Sequence, residues 1–180
     1  MSADSAKPTI SPFEDAPAIA VNRRGVTWLS RTGEIESLSH REAASRLRQG
    51  ACPLVCHGRA TATTLRAGNI RAFDVLELFA FVRPAVFCLP TARGLAITLD
   101  LALPETPEQE AETLFVAAEK LLSDVQSAGP HAAGIAWSMA RAGWIWGPAV
   151  LARIGTGEAP HSSAITSAMQ VWRRLADWED

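Results

Sequence analysis

Leu54 to Arg66 spells LVCHGRATATTLR, an apolar run that delivers a cysteine and a histidine side by side into a short helix. Cysteine with histidine is the pairing of a thiol nucleophile with its base, and a strand end feeding a helix is a usual place for one. Neighbouring strand residues point to opposite faces, however, so Cys56 and His57 cannot share a proton. Cys52, Cys56 and His57 also lack the fourth ligand that a finger-like metal site needs. Cys88 reads as a small core hydrophobe. GTGEAP at Gly155 has neither the lysine nor the preceding strand of a phosphate loop. No metal or other cofactor is expected in this chain.

Arginine is the other residue type whose distribution stands out. Val21 to Leu95 holds eleven arginines against five acids, a local balance of +6, while Ala96 to Pro130 carries −6, and the whole chain only −2. The first block can track phosphates if its arginines share a face. The alternative is that the two blocks dock on each other or are simply solvated. A chain of 180 residues, 48% hydrophobic, supports one core and a small appended lobe. Its apolar runs fall short of the ~20 residues of a membrane span, and MSADSAKPTISPFEDAPA lacks a basic-then-apolar leader, so no membrane partner is expected. Three cysteines, an odd count, fit a reducing compartment, and the expected location is cytoplasmic.

The elements that would position these residues follow from pattern and punctuation. Residues 1–16 form a polar lead-in with Pro8 and Pro12, expected to be disordered. Ala18–Val21, Val26–Ser30 and Ile35–Leu38, separated by Asn-Arg-Arg-Gly and Thr-Gly, predict an antiparallel meander. Ser39 with Glu42 three residues on predicts a capping box for a helix that runs to Gly50. CPLVCHG is a short buried strand, Arg59–Arg66 a helix of about two turns, and Ile70–Phe73 a further strand. A helix follows with Val75, Leu76, Phe79 and Val82 on one face, stopped at Pro84. TARGLAITLDL is helical, and Thr106-Pro107 opens the clearest helix of the chain. The fold class is α/β with a helical C-terminal half.

This order, with these residues, resembles the proofreading-exonuclease family, an RNase H-like mixed sheet flanked by helices. In that family an apolar strand leads to His-Asn and then to an Asp, as in LVAHNAxFDxxFL. Here Leu54, Val55, His57 and Leu65 match, with Gly58 at the Asn and Ala62 at the catalytic Asp. AFDVLELFAFVRP is similar to the family's DTLELARxxxP through Asp74, Leu76, Glu77, Leu78 and Pro84, and CLPTARGLAITLDLALP to its LxxLAxxLGI helix. Residues 17–128 would form this domain. The chemistry that the resemblance implies needs four carboxylates on two Mg²⁺ ions. The Asp-x-Glu of the first strand is replaced by AIAVNRRGV, the third acid by Ala62, and the stretch around 108–118 holds neither Asp nor His. His57, Gly58 and Ala62 therefore look like a vestigial motif, with His57 packed at a strand end and no catalytic residue or metal ligand.

A second resemblance spans nearly the whole chain. GVTWLSRTGEIESLS, PLVCHGRAT, FDVLELFAFVRPAVFCLPTARGLA, MARAGWIWGPAVL and VWRRLADWED look like the N-terminal region of bacterial DinG-like ATP-dependent DNA helicases. There an exonuclease-like module precedes the motor. The resemblance implies a hydrolase of DNA repair as the parent protein, with its ATP-binding loop and iron–sulfur cysteines beyond Asp180. This chain itself would be inactive. Residues 129–180 are expected to form a helical, tryptophan-rich extension leading towards the motor. Trp137 and Trp144 fit a small helical core, while Trp172, Arg173 and Trp178 are candidate interface residues that a motor domain could cover.

Two functions from different classes stand at this point. One is a non-catalytic accessory module of a DNA helicase, positioning DNA or docking on the motor domain, with Arg59, Arg66 and Arg71 as the expected contacts to single-stranded DNA. The other is a freestanding protein-interaction domain with no nucleic-acid role.

Overall fold

The computed structural model describes residues 13–125 and 129–155. Three short strands, β1 (Ala18–Val21), β2 (Val26–Leu29) and β3 (Ile35–Leu38), form the antiparallel meander. Then α1 (His40–Arg48) leads to β4 (Leu54–Val55), α2 (Gly58–Leu65), β5 (Phe73–Asp74) and α3 (Val75–Val82). Four more helices follow, α4 (Ala92–Thr98), α5 (Pro107–Asp124), α6 (Gly129–Arg141) and α7 (Gly147–Ile154). The sheet order is β3-β2-β1-β4-β5, with β1, β4 and β5 mutually parallel. The fold is α/β, a five-stranded mixed sheet flanked by helices, as the pattern predicts.

Alternation along the strands builds a core on each face of the sheet. Ala18, Ala20, Leu29, Leu54 and Phe73 point to the larger one, where α3, α4, α5 and α7 pack. Ile19, Val26, Trp28 and Val55 point to the smaller one, closed by Ala43, Ala44 and Leu47 of α1 and Leu65 of α2. Helix α5 lies across β1 and β2 and meets α3, α4 and α7. Both anticipated N-caps are present. Ser39 Oγ accepts from Glu42 N while Glu42 Oε2 accepts from Ser39 N, and Thr106 and Gln109 repeat the exchange at α5.

Three expectations are corrected. The strand placed at Ile70–Phe73 is Phe73–Asp74, because only these residues pair with β4, while Ile70 packs on the smaller core. The face of α3 that is fully buried is Val75, Leu78 and Phe79, whereas Leu76 and Val82 are half-buried. Part of the lead-in also belongs to the core. Phe13 is 2% exposed, with its ring centroid 5.8 Å from Phe73 and 5.1 Å from Trp146.

Trp146, fully buried, completes this aromatic triad at 5.0 Å from Phe73. Its indole N–H donates to the Asp74 carbonyl at 2.7 Å, which fastens the start of α7 to the end of β5. Among the described residues no helix is long and apolar enough to cross a membrane.

Candidate functional site

The parallel strands β1 and β4 end beside the N-terminus of α2, and α5 closes the far side. The hollow between them measures about 270 Å³ and is walled by Ile19 to Asn22, Cys56, His57, Thr61, Thr64 and Glu110. A strand end next to a helix start is where α/β sheets hold ligands, which makes this the first place to look for chemistry. Its polar equipment is one imidazole, one amide, one thiol, three threonine hydroxyls, of which Thr91 caps α4, and one carboxylate. Ile19, Ala20 and Val21 offer no ligand atoms beyond their backbone. These donors do not fit a two-Mg²⁺ site, which takes several carboxylates at once. Among the described residues, no three His, Cys, Asp or Glu side chains gather as a metal-holding group.

His57 is half-buried and occupies the N-cap position of α2, with extended backbone and no side-chain cap bond. Cys56 lines the same hollow, against the opposite faces expected of the pair, because β4 ends at Val55 and both residues lie beyond the strand; no hydrogen bond joins the thiol to the imidazole. Burial, reinforced by the negative charge of Asp74, pushes its thiol up to about 12, so it stays protonated at neutral pH and is a poor nucleophile. Burial likewise raises Cys52. Cys88 is half-buried against the larger core, its Sγ donating to the Leu89 carbonyl at 3.3 Å.

The acid that matters to the motif is Asp74, and its work is structural. It is 7% exposed, with Oδ2 accepting from Gly58 N at 2.6 Å and Oδ1 from Leu76 N at 2.9 Å and Glu77 N at 3.2 Å. One carboxylate thereby caps α3 and, in place of His57, the start of α2. Glycine suits this closeness, since a Cβ at residue 58 would stand 3.2 Å from Asp74 Oδ2, a tight contact.

Ala62 is not in the hollow with β1 and α5. It faces a separate groove of about 620 Å³ between α2 and α3, where His57 and Gly58 join it beside Arg59, Asp74 and Glu77, so the three motif positions share this groove and His57 borders both hollows. The α2 residues facing β1 are Ala60, Thr61 and Thr64. Burial first, and then the Asp74 charge, raises the Glu77 carboxyl above the ordinary carboxylate range.

Nor do Arg59, Arg66 and Arg71 converge. Arg59 lines the groove with Ala62, Arg71 a hollow beside Trp144, and Arg66 a third groove shared with Arg23, Arg41 and Arg48. The spacing of Arg41 and Arg48 was the available signal for this last group. Other arginines of the basic block serve the fold. Arg31 is stacked between Phe13 and Phe115 at 4.5 and 4.3 Å and lies 3.6 Å from Glu119, and Arg83 pairs with Asp124. These two pairs join the basic block to the acidic one. Arg46 binds both Glu36 oxygens, at 2.8 and 2.7 Å, over the Trp28 ring.

Trp137 and Trp144 are half-buried, the first under Arg141 and the second against Phe81. Trp172, Arg173 and Trp178 lie outside the described residues. No family model matches the chain, and no curated protein or solved structure matches it.

Proposed function

We propose that this chain is a non-catalytic, exonuclease-like module, RNase H-like in fold, from an ATP-dependent DNA helicase, and that it positions DNA or docks on the motor. The observation that carries the reading is the hollow where β1, the end of β4, α2 and α5 meet. The elements that bear the exonuclease resemblance come together there, yet β1 contributes Ile19, Ala20 and Val21 where the chemistry needs two carboxylates, α5 contributes the single carboxylate of Glu110, and the third acid's place, Ala62, lies outside the hollow. Asp74, the one fully engaged acid nearby, has both oxygens occupied by backbone N–H groups.

The test is a nuclease assay on 3′-labelled single strands with Mg²⁺ and with Mn²⁺. No metal-dependent shortening is expected. Shortening that disappears in a His57→Ala preparation would overturn the reading. ATP hydrolysis belongs to the motor, and the reading frame after Asp180 is expected to encode its phosphate loop.

A second reading, a protein-interaction domain without a nucleic-acid role, has its own observation. Val86, Phe87 and Leu89 project from the segment between α3 and α4, with Phe87 81% exposed. A folded sample that binds no oligonucleotide at ~20 mM salt, where phosphate contacts are strongest, favours this second reading.

A further inference from the structure

Three separate parts of the chain bring four guanidinium groups to one groove. Arg23 stands in the turn between β1 and β2, Arg41 and Arg48 on α1, and Arg66 directly after α2. The groove measures about 550 Å³ and is floored by the buried side chains of Ala44 and Leu65. Arg41, Ala44 and Arg48 are spaced i, i+3 and i+7, so they lie on one helix face, with the arginines about 10.5 Å apart along the axis. No Asp or Glu lines the groove, and none of the four arginines enters an ion pair among the described residues. Glu42, the acid next to Arg41, is turned back onto Ser39 N and Oγ at 2.8 and 2.7 Å.

Much of this arrangement runs against local stability, and hydrogen bonds nevertheless hold its turn in place. Like charges crowded on one groove repel. Arg41 sits in the first turn of α1, where the helix dipole disfavours a cation, while Arg48 sits in the last turn, where it favours one. Arg66 adopts φ 50° and ψ 39°, the left-handed region that a residue with a Cβ enters at a cost. The turn that carries Arg23 is fixed by Asn22 Oδ1, which accepts from Arg24 N at 2.7 Å and Gly25 N at 3.1 Å. His40, the first residue of α1, is tied to the same turn, with Nε2 2.7 Å from the Asn22 carbonyl oxygen. A Cβ at Gly25 would stand 2.9 Å from the Leu38 carbonyl oxygen, so the turn is pressed against β3.

We infer that this groove binds the phosphodiester backbone of nucleic acid, an inference that rests on the DNA-positioning reading and gives it a surface. Guanidinium forks match phosphate oxygens in pairs, and four of them in one groove supply more positive charge than a single phosphate neutralises, so the fit is to a polyanion. No Phe or Trp lines the groove, and its one ring, His40, is held by Asn22. Base stacking therefore adds nothing, and binding is independent of sequence.

The test is fluorescence anisotropy of the full chain with a labelled single strand and with its duplex, from ~20 to ~200 mM salt. The single strand should bind at low salt, with a log–log salt slope of about −2.8 for four neutralised phosphates at ~0.7 each. Comparison with the duplex tells which form of the backbone the groove prefers. Arg41→Gln with Arg48→Gln should weaken binding about tenfold or more and flatten the slope by about 1.4. Arg59→Gln with Arg71→Gln, in other hollows, should bind within about twofold of the unaltered chain. Circular dichroism checks each fold, and Arg66→Gln on the opposite wall tests the groove independently if the α1 variant fails to fold. Unchanged binding in the groove variants, loss in the Arg59 and Arg71 variant, or equal affinity for a poly-glutamate of the same charge overturns the groove assignment. A folded chain that binds neither oligonucleotide at ~20 mM salt overturns the DNA-positioning reading itself.

Discussion

At the N-terminal end of α2 the first backbone N–H, that of Gly58, is engaged by Asp74, and at its C-terminal end, eight residues on, the cationic groups are unpaired among the described residues. The first end carries the motif resemblance, through His57 and Gly58. There a single carboxylate, Asp74, holds the starts of two helices, and its carbonyl takes the Trp146 indole. The second end carries no motif, yet Arg66 meets three arginines from elsewhere. A polar group whose hydrogen bonds are all made within the fold is structural, while charges assembled without counter-charges are free for a ligand. By that criterion Asp74, at the motif-bearing end of α2, maintains the fold, and the unremarked end offers the binding surface.

The largest effect that can break this contrast is at Asp74. Asp74→Ala removes the charged acceptor of three backbone N–H groups, each such bond contributing ~1.5–3 kcal/mol, with partial recovery through water. We expect a loss of about 3–5 kcal/mol in urea unfolding, with oligonucleotide binding retained wherever the variant is folded. A loss under ~1 kcal/mol would mean that the carboxylate is not committed to the fold, and would return it to consideration as a functional acid.

Gly58 gives a smaller and sharper test. Alanine in a helix normally gains ~1 kcal/mol over glycine. Here its Cβ would press on Asp74 Oδ2, which three hydrogen bonds keep from yielding. Gly58→Ala should therefore destabilise by about 1 kcal/mol in place of stabilising, and Gly58→Asn, the residue of the exonuclease pattern, by at least as much. A stabilised Gly58→Ala would show that Asp74 can move, and that the two ends of α2 differ less than their hydrogen bonds indicate.

What the sequence makes legible here is local. β1 and β3 begin and end where the turn residues and the alternation place them, and α1 and α5 start at the residues their caps announce. The misplaced β5 shows the limit. Ile70 to Phe73 has a strand's apolar pattern, but pairing with β4 decides the matter, and Asp74 doubles as strand end and helix cap. Phe13 and Trp146 were unreadable as partners because they meet each other and Phe73 only in the folded chain, from positions far apart in sequence. The arginine groove is half legible. The i, i+7 spacing puts Arg41 and Arg48 together, whereas Arg23 and Arg66 join them only once α1 packs on α2 and the β1–β2 turn is tied down.

The smallest effect separates stability from binding at a single residue. Arg66 closes α2 in the left-handed conformation, its N–H donating to the Ala62 and Thr63 carbonyls, in a position that glycine most often fills. An L-residue there costs ~1–2 kcal/mol, and glycine gives back ~0.4–1 kcal/mol through its freer unfolded chain. Arg66→Gly should therefore stabilise the fold by about 0.5–1 kcal/mol, visible as a raised urea midpoint at unchanged slope. The same substitution removes one guanidinium from the groove, so the salt slope of single-strand binding should flatten by about 0.7 while affinity falls. The two readouts move in opposite directions only if the arginine is held in a costly conformation for its charge. A variant that is destabilised and binds as before would make Arg66 a helix stop and nothing more, leaving three arginines to carry the groove.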